Sequence, residues 1–330
     1  MKTRFVEKKE YDFITVGSAT IDIFLTPDPE ETEIIKISHK TQDFELIAYP
    51  LGSKILIEKI DYEIGGGGTN SAACLRKLNF SVGFFGCIGT DEYGEEILDY
   101  LKKENIDFIG KRSGKTGLSI ILNSFTNERT VFTYKGANDL VDENLNFKCR
   151  ALYCASLTKN AFKAQPEIFK KAKREGSVIF YNPSAYVAKM GLKELRNVLS
   201  YVDILIMNKE ESQLLSGKTE LSEIFRILNK IVKIVIITDG PNGIYFYDKR
   251  IYNVKAHKVK VLEPTGAGDA FASTFAGYLL KTNSILTSIK YGILNAESVI
   301  QKIGPKKGLL SEKELEKLMK NTKFEIVAID

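Results

Sequence analysis

Residues 265–271 read Thr-Gly-Ala-Gly-Asp-Ala-Phe. An apolar helical period starts at the end of this run, with Phe271, Phe275, Tyr278 and Leu279 at i, i+4, i+7 and i+8. A helix beginning here aims the free N–H groups of Gly266, Ala267 and Gly268 at one point. With the positive end of the helix dipole they make an anion site. Asp269 then sits beside that anion. A carboxylate in such a place opposes phosphate binding unless it has a task, and general-base catalysis is one. Phosphoryl transfer to an alcohol needs this pair: amides for the charge on the group in flight, and a base for the hydroxyl proton. The plainer alternative is a Gly-rich turn with Asp269 as an N-terminal cap.

Four other places carry candidate chemistry. The run Gly65-Gly66-Gly67-Gly68-Thr69-Asn70 precedes a helical pattern. Its glycines let backbone approach a ligand, and Asn70 can bond hydroxyls; a flexible turn is the alternative. Asp22 follows the first apolar strand, where open α/β sheets bind ligands, and can accept bonds from a polyol or cap a turn. Asn208 and Glu211 follow the strand-like run Asp203–Met207. An amide and a carboxylate one turn apart can reach magnesium through water, or simply cap a helix. Thr238, Gly240 and Gly243 end a further strand, where a hydroxyl and glycine amides can hold phosphates or make a tight turn. A near-match to a phosphate-binding loop at residues 110–116 has its glycines one residue too close and reads as coincidence.

Positioning these groups at strand ends requires alternating elements. Strand-like runs lie at 12–17, 81–87, 151–154, 177–181, 203–207 and 233–238. Helical patterns fall at 69–78, 91–103, 161–174, 193–200, 209–215 and 219–230. Further strand-like runs near 243–262 precede helices at 268–280, 283–302 and 311–320. This alternation predicts an α/β fold with a mostly parallel central sheet covered by helices on both faces. Two segments break it, about 25–64 and 115–136. The second reads as a β-hairpin turning at Thr126-Asn127-Glu128. Both are expected to build a small β-sheet lid inserted in one domain spanning 1–330.

Composition narrows the partners. The net charge of +5 is mild, and 42 acidic residues are interspersed with the basic ones, so no nucleic-acid partner is expected. Cys74, Cys87, Cys149 and Cys154 form no C-x-x-C pair, and His39 and His257 complete no zinc spacing. No apolar run approaches the roughly 18 residues that span a membrane. The opening residues lack a secretion signal's apolar stretch, so a cytoplasmic location is expected.

Together, and in this order, the segments resemble the ribokinase (PfkB) family of carbohydrate and nucleoside kinases. TGAGDAF resembles that family's C-terminal signature, and GGGGTNSAACLRKLNFSVGFFGCIGTDEYGEEIL its N-terminal one. ASLTKN, the YNPS run, N-x-x-E at Asn208 and T-x-G-x-x-G at Thr238 fall in sequence between them. The resemblance covers about residues 11–320 and implies a ribokinase-like fold. It implies an ATP-dependent kinase acting on a hydroxymethyl group of a sugar, with Asp269 as general base and Gly266, Ala267 and Gly268 as the anion hole. Asp22, Gly66, Gly67 and Asn70 would bind the acceptor, with Arg129 in the lid hairpin as a further acceptor or phosphate contact. Asn208, Thr238, Gly240, Gly243 and Asn295 would bind the nucleotide, and Glu211 would hold magnesium through water. Glu263-Pro264 stands where the family has Asp-Thr, a departure that bears on potassium binding at Glu263. Lid-mediated dimers occur in the family, so a homodimer through the lid is also implied.

Other functions remain open at this level. A nucleoside acceptor needs an aromatic slot, for which Phe44, Tyr49, Phe125, Phe132 and Tyr134 are available. A sugar phosphate needs extra basic residues, with Arg129 and Lys135 nearby. A non-catalytic sugar- or nucleotide-binding module is a further alternative. An α/β oxidoreductase is disfavoured by the missing dinucleotide fingerprint.

Overall fold

A computed structural model describes residues 10–28, 30, 33–39, 42–123, 129–144 and 147–329. Ten strands form one sheet. From one edge the order is Ile326–Ile329, Arg250–Val254, Ile244–Asp248, Ile234–Thr238, Ile204–Asn208, Val178–Asn182, Lys148–Ala155, Glu10–Val16, Val82–Phe85 and Asp107–Phe108. Pairing is parallel from Ile234–Thr238 onward, and antiparallel among the three strands at the first edge and where they join it.

Side-chain alternation along each strand splits the core into two layers. Phe13, Phe84, Tyr153 and Phe180 face the helices Gly67–Lys77, Ala267–Thr282 and Ile285–Val299. Ile14, Leu152, Ile179, Leu205 and Ile237 face Lys159–Arg174, Gly191–Leu199 and Leu221–Leu228. The central strands are therefore apolar on both faces, which is why they read as continuous apolar runs. All four cysteines are free and buried. Among the described residues, no helix is long and apolar enough to cross a membrane.

The lid is a second sheet of four strands, ordered Arg129–Tyr134, Gly117–Asn123, Thr20–Pro27, Ile57–Gly65. It begins at Thr20, earlier than the expected residue 25. Asp22 accordingly lies inside a lid strand rather than past the end of a core strand, which corrects the reading of its position. Residues Glu33–His39 and Gln42–Ala48 pair as a separate two-stranded hairpin. That hairpin accounts for the extra length of the first inserted segment. The expected turn at 126–128, and the side chains of Phe44 and Phe125, lie outside the described residues.

Register fixes what each lid face carries. Glu63, Asp22, Ser119 and Thr133 stand in one row across the sheet. Phe132 and Tyr134 flank Thr133 and so project from the opposite face, where they are exposed. They do not form the aromatic acceptor slot that the sequence allowed for.

Candidate active site

The Gly-rich heptapeptide starts the helix Ala267–Thr282 as expected. Gly266 caps it at φ 85°, in the left-handed region. A Cβ there would stand 2.6 Å from Pro305 Cβ, so the loop through Pro305 packs directly on the helix start. Among the described residues the Gly266 and Gly268 N–H groups have no acceptor. The Ala267 N–H does have one, the Pro264 carbonyl at 3.3 Å. Gly266 and Gly268 are therefore the amides free to meet an anion at this helix start, with Ala267 largely spent on holding the turn. A Cβ on Gly268 would meet nothing within 4 Å, so its neighbourhood is open.

Asp269 lies on the first turn of that helix. Its Oδ2 accepts a bond from Asn70 Nδ2 at 2.8 Å. Burial raises its pKa above the ordinary carboxylate value; the Asn70 bond and the Lys306 charge pull it down, while Asp22 adds to the rise. The Asn70 Oδ1 is buried without a partner. A buried acceptor in that state is costly unless a ligand hydroxyl supplies the donor. A Cβ on Gly67 would sit 3.4 Å from Asp269 Oδ1, so the bare glycine keeps the space above the carboxylate clear.

Asp22 is buried and accepts from Thr20 Oγ1 at 2.9 Å. Burial likewise raises its pKa. The lid strand that ends in Gly65 feeds the Gly66–Gly67 turn, which opens the helix Gly67–Lys77 carrying Asn70. Asp22, Gly67, Asn70 and Asp269 are thus brought together from three elements.

Lys306 completes this cluster, and sequence reasoning missed it. It belongs to the same loop as Pro305, and its ammonium donates to the Ile64 carbonyl just before the glycine turn. Burial pushes its pKa down to about 8, against the pull of Asp22 and Asp269, then Glu63 and Glu104. Its charge favours the ionised form of Asp269. Lys306→Met is therefore expected to move the acid limb of the kcat–pH profile to higher pH, with Lys306→Arg close to wild type. An unmoved limb in Lys306→Met would show that the ammonium does not act on Asp269.

The nucleotide-side residues divide. Asn208 and Thr238 stand in register at the carboxyl ends of adjacent parallel strands. Gly240 is exposed beyond Thr238, and the Gly243 carbonyl accepts from Asp239 N at 2.9 Å to close the turn. Asn295 does not reach this edge. It is fully buried, donates to Thr274 Oγ1 at 2.7 Å and to Cys74 Sγ, and accepts from Leu310 N at 2.9 Å. Both donors of this amide are used within the protein and the side chain is fully buried, so the expectation for Asn295 is corrected to a core hydrogen-bonding role.

Asn208 and Glu211 form a capping box: Asn208 Oδ1 accepts from Glu211 N at 2.8 Å, and Glu211 Oε2 from Asn208 N at 2.9 Å. Capping commits Glu211 Oε2, and the Ala185 amide also lies against the carboxylate. Burial above all raises the Glu211 pKa from 4.5 to about 7, with Glu210 and Asp269 adding, while the Asn208 and Ala185 amides oppose. Such an under-neutralised carboxylate suits a hydrated magnesium ion. The folded state holds this proton through a window where the unfolded chain has lost it. Stability therefore falls as pH rises from 4.5 to about 7. Mg-ATP binding in mildly acidic buffer is expected to expel the proton. Calorimetry in buffers of different ionisation enthalpy should detect the release in wild type and not in Glu211→Gln; equal release in both removes Glu211 from the metal site.

Glu263 is buried, and its Oε1 accepts from Thr265 N at 3.0 Å and Thr265 Oγ1 at 2.6 Å. Arg129 from the lid faces the same oxygen at 3.4 Å. A monovalent cation at Glu263 would have to displace that guanidinium. Among the described residues, no cluster of three His, Cys, Asp or Glu side chains is placed to hold a metal ion.

Comparison with known proteins bears on the family and the fold. The model of the pfkB family carbohydrate kinases matches residues 31–312. Staphylococcus aureus ribokinase is 29% identical over 308 residues, covering 88% of this chain and 94% of that protein. The 5-dehydro-2-deoxygluconokinase of Bacillus licheniformis is 26% identical over 343 residues, covering 97% and 99%. An E. coli structure described as ribokinase II in complex with ATP and Mg2+ superposes with a TM-score of 0.77 at 19% identity, covering 94% and 99% of the two chains. The chain belongs to the PfkB family of carbohydrate kinases, phosphotransferases that act on a sugar hydroxyl.

Proposed function

We propose that the protein transfers the γ-phosphoryl group of ATP to a hydroxymethyl group of a sugar, with Asp269 as general base. One observation carries this reading. A carboxylate with a raised pKa stands on the first turn of a helix whose Gly266 and Gly268 amides have no acceptor among the described residues, bonded by an asparagine that still has a free acceptor.

The acceptor hydroxyl lies over Gly67 against Asp269, and its neighbouring hydroxyls bond Asp22 and Asn70 Oδ1. Asp269 takes the hydroxyl proton as the oxygen bonds to the γ-phosphorus. The bond from that phosphorus to the β,γ-bridging oxygen breaks, and ADP leaves with the electron pair. The Gly266 and Gly268 amides and the helix dipole stabilise charge on the group in flight. Asn208, Thr238, Gly240 and Gly243 line the nucleotide phosphates. Glu211 would hold magnesium through water, and the ion would supply charge neutralisation at the phosphates. Burial of Asp269 and Asp22 keeps the reacting region poor in water, which limits futile ATP hydrolysis. Arg129, tied to Glu263 and hence to Thr265, links the lid to the loop that presents the anion hole.

The test is ADP release from Mg-ATP across pentoses, hexoses, sugar acids, sugar phosphates and nucleosides. Turnover on one acceptor supports the reading. Ligand-induced thermal stabilisation without turnover on any acceptor would favour a binding module instead. The outer lid face exposes Tyr62, Phe132 and Tyr134 at 55%, 57% and 55%. This apolar patch supports a homodimer through the lid, to be checked by light scattering.

A further inference from the structure

The cavity beside Asp22 is not used by the chemistry above. It encloses about 630 Å³, within the size range of small-molecule sites. Its lid side is Thr133 and Lys135; its core side includes Leu157, Phe162, Tyr186 and Val187. Thr133 shares the row of Asp22 across two strand pairings, so it lies roughly 10 Å from Asp22 on the same face. The cavity therefore opens on the lid face that carries Asp22, and its lining includes neither Asn70 nor Asp269.

Its walls are mostly apolar, yet three ammonium groups border it: Lys135, Lys159 and Lys163. Lys159 is paired with Asp139 at 3.2 Å, and Lys163 bonds Asn160 at 3.2 Å. Asp139 also accepts from Thr158 at 3.1 Å. Lys135 makes no ion pair among the described residues; its Nζ stands 5.9 Å from the centre of the Tyr186 ring. It is half-buried, and burial lowers its pKa while Asp139 and Asp22 act the other way. An ammonium held against apolar surface without a counter-ion is costly, and a ligand anion offsets the cost with a charge-assisted bond. A neutral sugar leaves it uncompensated.

We infer that the acceptor carries an anionic group, carboxylate or phosphate, which Lys135 binds in this cavity while Asp22 and Asn70 hold the hydroxyls near Asp269. The inference rests on the kinase reading and narrows its substrate class. The anion sits at the end of the acceptor remote from the hydroxymethyl group, because the cavity that Lys135 lines does not include Asp269 or Asn70. The apolar wall then excludes water around the ion pair and strengthens it.

The experiment compares wild type, Lys135→Met and Lys135→Arg on sugar acids, sugar phosphates and their neutral counterparts. Wild type is expected to prefer an anionic acceptor. In Lys135→Met the KM for that acceptor should rise by roughly tenfold to a hundredfold with kcat little changed, as loss of a charge-assisted bond does. Neutral acceptors should be unaffected, and Lys135→Arg should recover most of the loss. Preference for carboxylates over phosphates, or the reverse, identifies the anion. Preference for a neutral sugar or a nucleoside, or an unchanged KM in Lys135→Met, overturns the inference while leaving the kinase intact. If no acceptor turns over, the kinase reading fails, and calorimetric titration of the same sugar acids and sugar phosphates decides the cavity. Binding to wild type that Lys135→Met loses upholds it; equal or absent binding rejects it.

Discussion

Replacing Asp269 with asparagine is expected to lower kcat by roughly a hundredfold to ten-thousandfold, the usual worth of a placed base beside a preorganised anion hole. The protein should remain folded. The new amide oxygen can still accept from Asn70 Nδ2, so the 2.8 Å contact survives in kind. Removing a carboxylate whose ionised form is penalised by burial should leave Tm unchanged or raise it. Affinity for ATP should change little or increase, because a negative charge next to the phosphate site has gone. The measurement pairs steady-state kinetics with thermal unfolding. Activity within severalfold of wild type would remove Asp269 as the base. Inactivity with a collapsed Tm would make the result uninformative about chemistry, and Asp269→Ser would then repeat the test.

The second large effect separates two glycines of one heptapeptide. Gly266→Ala forces a side chain into a left-handed position at φ 85° and against Pro305 at 2.6 Å. The backbone strain alone is worth about 1–3 kcal/mol. The turn can relieve it only by moving the helix start, and with it the two free amides. Stability should therefore drop, and kcat should fall on the order of a hundredfold, as when an oxyanion-hole donor is lost. Gly268→Ala places its methyl in open space. Its Tm should match wild type while the KM for ATP rises, since only a bound phosphate would meet the methyl. Thermal unfolding and ATP kinetics on both variants check the contrast. Equal loss of stability in the two would contradict the packing of Pro305 on the helix start.

The contrast also explains what a sequence can disclose. Gly266 and Gly268 look alike in TGAGDAF, because a motif records residue types and not what stands across from them. The core elements were legible because burial on two faces writes apolar runs and helical periods directly into the chain. The helix beginning at Gly67, the one beginning at Ala267 and the strand ending at Asn208 all lie within about two residues of their expected bounds. Asp22 was singled out for an acid near a strand end, although the structure puts it within a lid strand. The resemblance puts Asn295 at the nucleotide, but its amide is bonded to Thr274, Cys74 and Leu310, partners distant in sequence.

By itself the sequence determined the α/β layering, the family and the Asp269 motif, because each depends on local period or on residues adjacent in the chain. Tertiary structure alone decided the environment of those residues. It brought Lys306 to Asp269 and Asp22, tied Arg129 to Glu263 across the lid, and put Phe132 and Tyr134 on the face opposite to the one that Thr133 shares with Asp22. The physical reason is common to all three. Charge interaction, burial and sheet facing depend on distances between segments far apart along the chain, and a one-residue change of register reverses a face. No local pattern encodes those distances; packing sets them.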